Sequence, residues 1–283
     1  MKLVMTLLIR DEVDIVSSNI DFHLDQGVDF IIAMDNLSID GTTDILRDYE
    51  RHGVLRYIHQ ADDNFAQHRW VTHMARLACT EFAADWVINS DADEFWYPED
   101  SDLKKVLDAI PPACDSVLAK RLNFLPRPVA EGDFFADTMI VRELQSFNAL
   151  GEPLPGKVCH RAAADIEVEQ GNHAVRRNSH LLAAELAPIT IFHFPMRSYG
   201  QFANKIIKGG AAYGRNTYLP HGIGSTWRHL HEVWQRGELE AYYQRSIVDD
   251  AAIARGLTEG RFVLDERLKM ALSRPRHRVA RYG

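Results

Sequence analysis

Short apolar runs separated by amphipathic stretches fill the first hundred residues. Leu3–Ile9 is almost unbroken in apolar character and predicts a buried strand. Val16, Ile20 and Leu24 follow at helical spacing, with Asp14 placed to cap that helix. The run 30–34 predicts a second strand that ends at Asp35. Asp40-Gly41-Thr42 opens a helix with Ile45, Leu46 and Tyr49 on its apolar face. Residues 54–58 read as a third strand, a longer helix runs through Trp70, Met74 and Leu77, and 86–88 read as a fourth strand. Strand–helix alternation of this kind predicts an α/β fold, a mostly parallel sheet covered by helices on both faces.

The pattern loosens after Pro98. Residues 103–110 read as a helix stopped by Pro111-Pro112. Residues 116–124 and 189–194 read as strands, 199–213 as a helix, and 126–178 as a mixed stretch of glycines, prolines and short apolar runs. The end of the chain predicts helices around 227–234, 239–248 and 263–272. No internal repeat or low-complexity linker interrupts it. The expected organisation is one α/β domain over 1–215 with a C-terminal helical extension over 216–283.

Composition narrows the function. With 283 residues, 46% of them hydrophobic and 25% charged, the chain is of ordinary globular type and can build a large core. A net charge of −8 argues against nucleic acid as a partner. The one basic concentration is the tail, Arg274, Arg276, Arg278 and Arg281. It reads as a surface end, with a weak peripheral contact to an anionic membrane as the alternative. Cys79, Cys114 and Cys159 are odd in number and widely spaced, which predicts reduced thiols in a cytoplasmic protein, at most at the inner membrane surface. The apolar start ends in Arg10-Asp11-Glu12 with no small-residue cleavage site, so it reads as a strand rather than a signal peptide. No run is long enough to span a membrane.

Three polar clusters each follow an apolar strand: Arg10-Asp11-Glu12, Asp35-Asn36, and Asp91/Asp93/Glu94. In a parallel sheet those strand ends share one edge, where open α/β sheets bind ligands. Asp91 and Asp93 point the same way in an extended segment and repel each other unless a cation sits between them. Mg²⁺ or Mn²⁺, which takes oxygen ligands and bridges a diphosphate, is the simplest such cation. The plain alternatives are an acidic turn, a helix-supporting Glu12 and an Asx turn at Asp35; the aromatics Trp86, Phe95, Trp96 and Tyr97 argue against a merely solvated turn. A fourth cluster sets His193 at a strand end, with Arg197, Lys205 and Lys208 close behind. An imidazole metal ligand with cations for a diphosphate fits it; a core histidine with surface charges is the alternative. His160 and His173 lack partners at zinc-site spacing, and Gly171 marks a turn.

In these stretches the chain resembles bacterial glycosyltransferases of the GT-A fold, within the family-2-like group. The segments that carry the likeness are LLIRDEVDIVSSNIDFHLDQGVD, MDNLSIDGTTDIL, the DxD-type SDADEFW, HRAAADIEVEQGNH and HFPMRSYGQFANK. They span roughly residues 3–210. The resemblance implies a Rossmann-like GT-A domain with a nucleotide-binding half over 1–97 and an acceptor half over 98–215. It implies that Arg10 and Glu12 border the nucleoside of a sugar nucleotide and that Asp35 bonds the base or ribose. Asp91 and Asp93 would hold the sugar and a Mn²⁺ or Mg²⁺ ion, with Asp93 the direct ligand and His193 completing the metal site. Arg197 and Lys205 would contact the diphosphate. The donor would be a nucleoside diphosphate sugar, UDP-linked by family habit. The acceptor would be a hydroxyl of a carbohydrate or lipid-linked molecule, as in surface polysaccharide synthesis, and transfer would invert the anomeric centre. The acidic pair that usually supplies the base has no clear counterpart. Asp137, Asp165, Glu167, Glu169 and His173 stay open, with Glu169 and His173 around Gly171 preferred.

Two other readings compete. A haloacid-dehalogenase-like phosphatase also places Asp-x-Asp after a strand, but near its N-terminus and followed by Thr or Val, whereas Glu94-Phe95 follow Asp93 here. A non-catalytic sugar-nucleotide-binding protein would share the donor residues and lack turnover.

Overall fold

Residues 1–64, 66–99, 102–128, 133–217, 219–220 and 222–273 are described in the computed structural model. In chain order the first half runs β1 (Leu3–Ile9), α1 (Val16–Asp25), β2 (Phe30–Asp35), α2 (Thr42–Arg51), β3 (Leu55–His59), α3 (Gln67–Thr80) and β4 (Trp86–Asp91). Then come β5 (Glu94–Pro98), α4 (Leu103–Asp108), β6 (Ser116–Asn123), α5 (Phe135–Thr138), β7 (Val141–Glu143) and β8 (Lys157–Arg161). The short strands β9 (Ile166–Val168), β10 (Val175–Arg177) and β11 (His180–Leu181) make a small separate sheet before β12 (Ala184–His193). The chain closes with α6 (Tyr199–Arg215), α7 (Ser225–Gln235), α8 (Leu239–Ser246), α9 (Asp250–Thr258), β13 (Phe262–Leu264) and α10 (Arg267–Ser273).

One eight-stranded sheet organises the molecule, in the order β3-β2-β1-β4-β8-β6-β12-β5. The first four strands are mutually parallel, as their apolar runs and intervening helices predict. Beyond β4 the sheet is mixed: β8 is antiparallel to both neighbours, β6 and β12 are parallel, and β5 is antiparallel at the edge. Alternation along β1 sends Leu3, Met5 and Leu7 into one apolar layer, under α1 and α2, and Val4 into another, against Trp70, Val71 and Met74 of α3.

Register decides where the chemistry falls. Ile9 pairs with Asp35 and Leu8 with Asp91, so the ends of β1, β2 and β4 align on one edge. On the other half, His193 lies between Asn123 of β6 and Glu94 of β5. The Phe194 amide donates to the Asp93 carbonyl at 2.9 Å, which ties the second half to the acidic loop.

The C-terminal segment differs from the helical expectation. Residues 263–272 divide into β13, paired antiparallel with β7, and α10, which returns Leu268 and Leu272 to the main core. Helices α6, α7 and α8 share their own apolar cluster around Phe202, Ile206, Leu230 and Tyr243. A methyl group at Gly209 or Gly210 would overlap Trp227 or the Cβ of His231, so the paired glycines let α7 lie directly on α6. The basic tail from Arg274 lies outside the described residues. Among those described, no helix is long and apolar enough to cross a membrane, and the three cysteines are free thiols.

Candidate active site

A cavity of about 770 Å³ opens at the shared strand edge. Its polar wall carries Arg10, Asp11, Glu12, Asn36, Asp91 and Asp93, faced by His193, Lys205 and Lys208. The two N-terminal motifs build this wall together. Thr42 Oγ1 accepts the Glu12 amide at 2.9 Å, and Asp40 accepts the Val13 amide at 3.0 Å. Asp11 takes a left-handed backbone (φ 53°), held by Ser38 at its amide and by Ile39 and Asn204 at its carboxylate. Lys208 also pairs with Asp11.

The acidic loop is saturated with cations. Asp93 is buried, pairs with Lys205, and places Oδ2 3.6 Å from His193 Nε2. Burial pushes the Asp93 carboxyl up, but the Lys205 ammonium, backed by the Arg197 guanidinium, outweighs it and holds it well below the usual range. Asp91 pairs with Lys157, which also lies 3.0 Å from Glu94; Arg121 holds the other Glu94 oxygen at 3.0 Å. Burial lowers the His193 pKa against the pull of Asp93, which favours a neutral ring.

The expected residues come together only in part. Asp91, Asp93, His193, Lys205, Arg10 and Glu12 all line the cavity. Asp35 does not: it is buried, accepts the Ser38 amide at 3.0 Å and Thr43 at 2.5 Å, and leaves the neighbouring Asn36 to face the cavity. Arg197 is also behind the wall. It pairs with Glu12, grips Asp14 at 2.7 and 2.9 Å and donates to the Phe194 carbonyl at 2.9 Å, so its donors orient Glu12 rather than a diphosphate. Glu169 is paired with Arg176 at 2.7 Å, Asp165 with Arg177 at 3.0 Å, and Glu167 with Arg76 at 3.8 Å, all half-exposed or exposed. None of the three, nor Asp137, lines the cavity. His173 does, folded over Gly171 and bonded through Nδ1 to the Gly156 carbonyl at 2.7 Å. Burial, helped by Lys157, lowers its pKa to about 4, too low for a strong base at neutral pH.

Pattern and spacing did not reveal Arg121, Asn123 or Glu143, which line the cavity from β6 and β7. Lys157 had no assigned role either. Its partnership with Asp91 depends on β8 inserting antiparallel beside β4.

The site chemistry suits a divalent ion with two protein ligands. His193 Nδ1 lies 2.7 Å from Asn123 Oδ1, so that nitrogen carries the proton and Nε2 keeps a lone pair toward Asp93. One carboxylate oxygen and one imidazole nitrogen could hold a divalent ion there once the Lys205 ammonium moves off Asp93. Asp91, the third expected ligand, turns to Lys157. Among the described residues no group of three or more His, Cys, Asp or Glu is arranged to hold a metal.

Residues 8–148 match the family model of glycosyltransferase family 92, which supports a glycosyltransferase; the sequence motifs resembled the family-2-like group instead. No curated protein matches the sequence. Similar solved structures include S. aureus TarS 1–349 in complex with UDP, 13% identical over 77% of this chain and 67% of that one, TM-score 0.44. TarS 1–349 in complex with UDP-GlcNAc is 11% identical over 92% and 93%, TM-score 0.41. Glucosyl-3-phosphoglycerate synthase from Mycobacterium tuberculosis, in complex with Mn²⁺, UDP and phosphoglyceric acid, is 15% identical over 57% and 56%, TM-score 0.35.

Proposed function

We propose that the protein is a metal-dependent, inverting glycosyltransferase. It moves a sugar from a nucleoside diphosphate sugar, with UDP the first nucleotide to test, to a carbohydrate or lipid-linked hydroxyl acceptor. The observation that carries this reading is the convergence of Asp93, His193 and Lys205 on one cavity at the sheet edge. A carboxylate, an imidazole and an ammonium group at that edge are what a diphosphate leaving group needs for binding and charge neutralisation.

Asp93 Oδ2 and His193 Nε2 would hold Mn²⁺ or Mg²⁺, which supplies positive charge at the departing diphosphate. Lys205 would leave Asp93 for the diphosphate oxygens, and Lys208 and Arg10 face the same space. Among the described residues Arg10 Nε is buried with no hydrogen-bond partner, beside the 2.7 Å contact of this guanidinium with Asp63. Glu12 and Asn36 line the adjoining wall, where a nucleoside would rest. Asp91 carries an ammonium partner and Asp93 would be held by the metal ion, which weakens both as nucleophiles and supports one direct displacement at the anomeric carbon.

The test is a melting curve with UDP and Mn²⁺, followed by UDP release from UDP-sugars. Saturating ligand at a hundred times its Kd should stabilise the fold by about 2.7 kcal/mol. UDP should give the larger shift when Mn²⁺ is present. No shift with UDP and Mn²⁺ together overturns the reading. Binding without turnover of any UDP-sugar would leave a sugar-nucleotide-binding protein.

A further inference from the structure

Five carboxylates line the cavity: Asp11, Glu12, Asp91, Asp93 and Glu143. Four are paired with a cation, namely Lys208, Arg197, Lys157 and Lys205 in that order. Among the described residues Glu143 has no such partner, and its Oε2 is buried without any hydrogen bond. The charged groups near it are turned elsewhere. Arg142 binds Asp265 at 2.7 Å and reaches only the Glu143 backbone carbonyl; Arg261 binds Glu259 at 2.5 Å. His193 stands beyond Asn123.

Glu143 is fixed at the end of β7 by pairing with Phe262 of β13, and Leu144 donates to the Arg261 carbonyl at 2.9 Å. Its neighbour Asn123 contacts His193, and Glu143 lines the same cavity one residue beyond the His193–Asp93 pair. Phe124, Phe147 and Leu154 give that part of the cavity an apolar lining, unlike the cationic donor edge. An unpaired carboxylate is repelled by a diphosphate and suits a hydroxyl.

We propose that Glu143 is the general base of the transfer and marks the acceptor subsite, opposite the donor edge. This rests on the glycosyltransferase reading. The Glu143 carboxylate takes the proton of the acceptor hydroxyl as that oxygen bonds to the anomeric carbon. The bond from that carbon to the diphosphate oxygen breaks, and its electron pair leaves with the diphosphate. The protonated Glu143 then releases its proton to water. Burial raises the proton affinity of this carboxyl, against hydrogen bonds from Ser146, Asn123 and the Phe147 amide, which suits a base working near neutral pH.

Water serves as the acceptor in the test, with azide as a nucleophile that has no proton to lose. UDP release from UDP-glucose, UDP-galactose and UDP-GlcNAc is measured for the wild type, and the best donor is taken forward. Glu143→Gln should lower hydrolysis about 100-fold or more, keep UDP affinity within about twofold of wild type, and recover UDP release when azide is added. The wild-type rate should fall on an acid limb above the ordinary carboxylate range; Glu143→Asp keeps a limb and Glu143→Gln loses it. Near-wild-type hydrolysis by a folded Glu143→Gln, or a loss that azide does not repair while UDP still binds, overturns the base assignment alone. Failure of the wild type to bind UDP overturns the glycosyltransferase reading with it.

Discussion

Asp93 and Lys205 show how closely function and stability are joined at a single residue. The carboxylate is almost fully buried, and the ammonium that answers it is also 3.8 Å from Glu12. Removing the carboxylate therefore leaves a partly buried cation with a poorer partner. Asp93→Ala is expected to cost on the order of 1–3 kcal/mol and to abolish the extra UDP-induced shift that Mn²⁺ provides. Urea unfolding and a melting curve with UDP, with and without Mn²⁺, check both parts; an unchanged Mn²⁺-dependent shift would rule out Asp93 as ligand. The simple repulsion argument for Asp91 and Asp93 foresaw a cation but not lysines from β8 and α6 in that role. Strand ends were legible in the sequence, so Asp91, Asp93, Glu12 and His193 could be found. Arg197 and Asp35 were not separable from the residues that line the cavity, because a charged side chain under a wall and one on it have the same spacing. Glu143 carried no sequence signal at all: β7 is three residues long and gains its position from β13, more than a hundred residues away in sequence.

At the scale of elements, periodicity found what is local and missed what is paired at a distance. β1 to β3 announce themselves because each carries an apolar run and is followed by a helix with its own stripe, and the apolar start of β4 continues the series. β8 has Lys157, His160 and Arg161 in a five-residue strand, so no alternation marks it; only burial between β4 and β6 makes it a strand. The α6–α7 contact follows a different rule. Glycines normally weaken a helix by about 1 kcal/mol each, yet Gly209 and Gly210 sit side by side in α6. Their compensation is close approach: His231 places its Cβ, which moves only with the α7 backbone, over Gly210. Gly210→Ala is therefore expected to lose about 1–3 kcal/mol through overpacking, despite the gain in helix propensity. Gly209→Ala meets ring atoms at the end of the Trp227 side chain rather than a Cβ, and should cost less. Urea midpoints for the two variants test the order; a stabilised Gly210→Ala would show that α7 is not held where the structure has it. Because Trp227 and Gly209 line the cavity and Lys205 lies 5.8 Å from the Trp227 ring, Gly210→Ala should also weaken UDP binding.

For the whole molecule, acid should be the sensitive direction. His23, His160 and His173 lie in three different parts of the fold, and burial lowers each to about 4 from an ordinary 6.5. His23 shows why the neutral ring is required: Nδ1 faces the Asn19 carbonyl at 2.8 Å, while Nε2 accepts the Trp96 amide at 3.1 Å. A second ring proton would break that last bond and put a charge beside Phe22 and Phe95. The unfolded chain takes up these protons as pH falls below about 6.5, whereas the folded chain refuses them until about 4. The unfolded state thus binds more protons across that window, so stability falls as pH falls through it. Asp93 acts in the same sense at lower pH, since its depressed carboxyl gives stability above the ordinary carboxylate value that is lost as it protonates. Urea midpoints measured from pH 8 to pH 4 should be flat above about 7 and drop steadily from about 6.5 downward. His23→Gln should flatten part of that drop while leaving the Mn²⁺-dependent UDP shift at pH 7.5 intact, because His23 is in the core and not in the cavity. A midpoint that stays constant from pH 6.5 to pH 4.5 would mean that these rings accept protons in the folded state, and the core around Trp96 would need a different account.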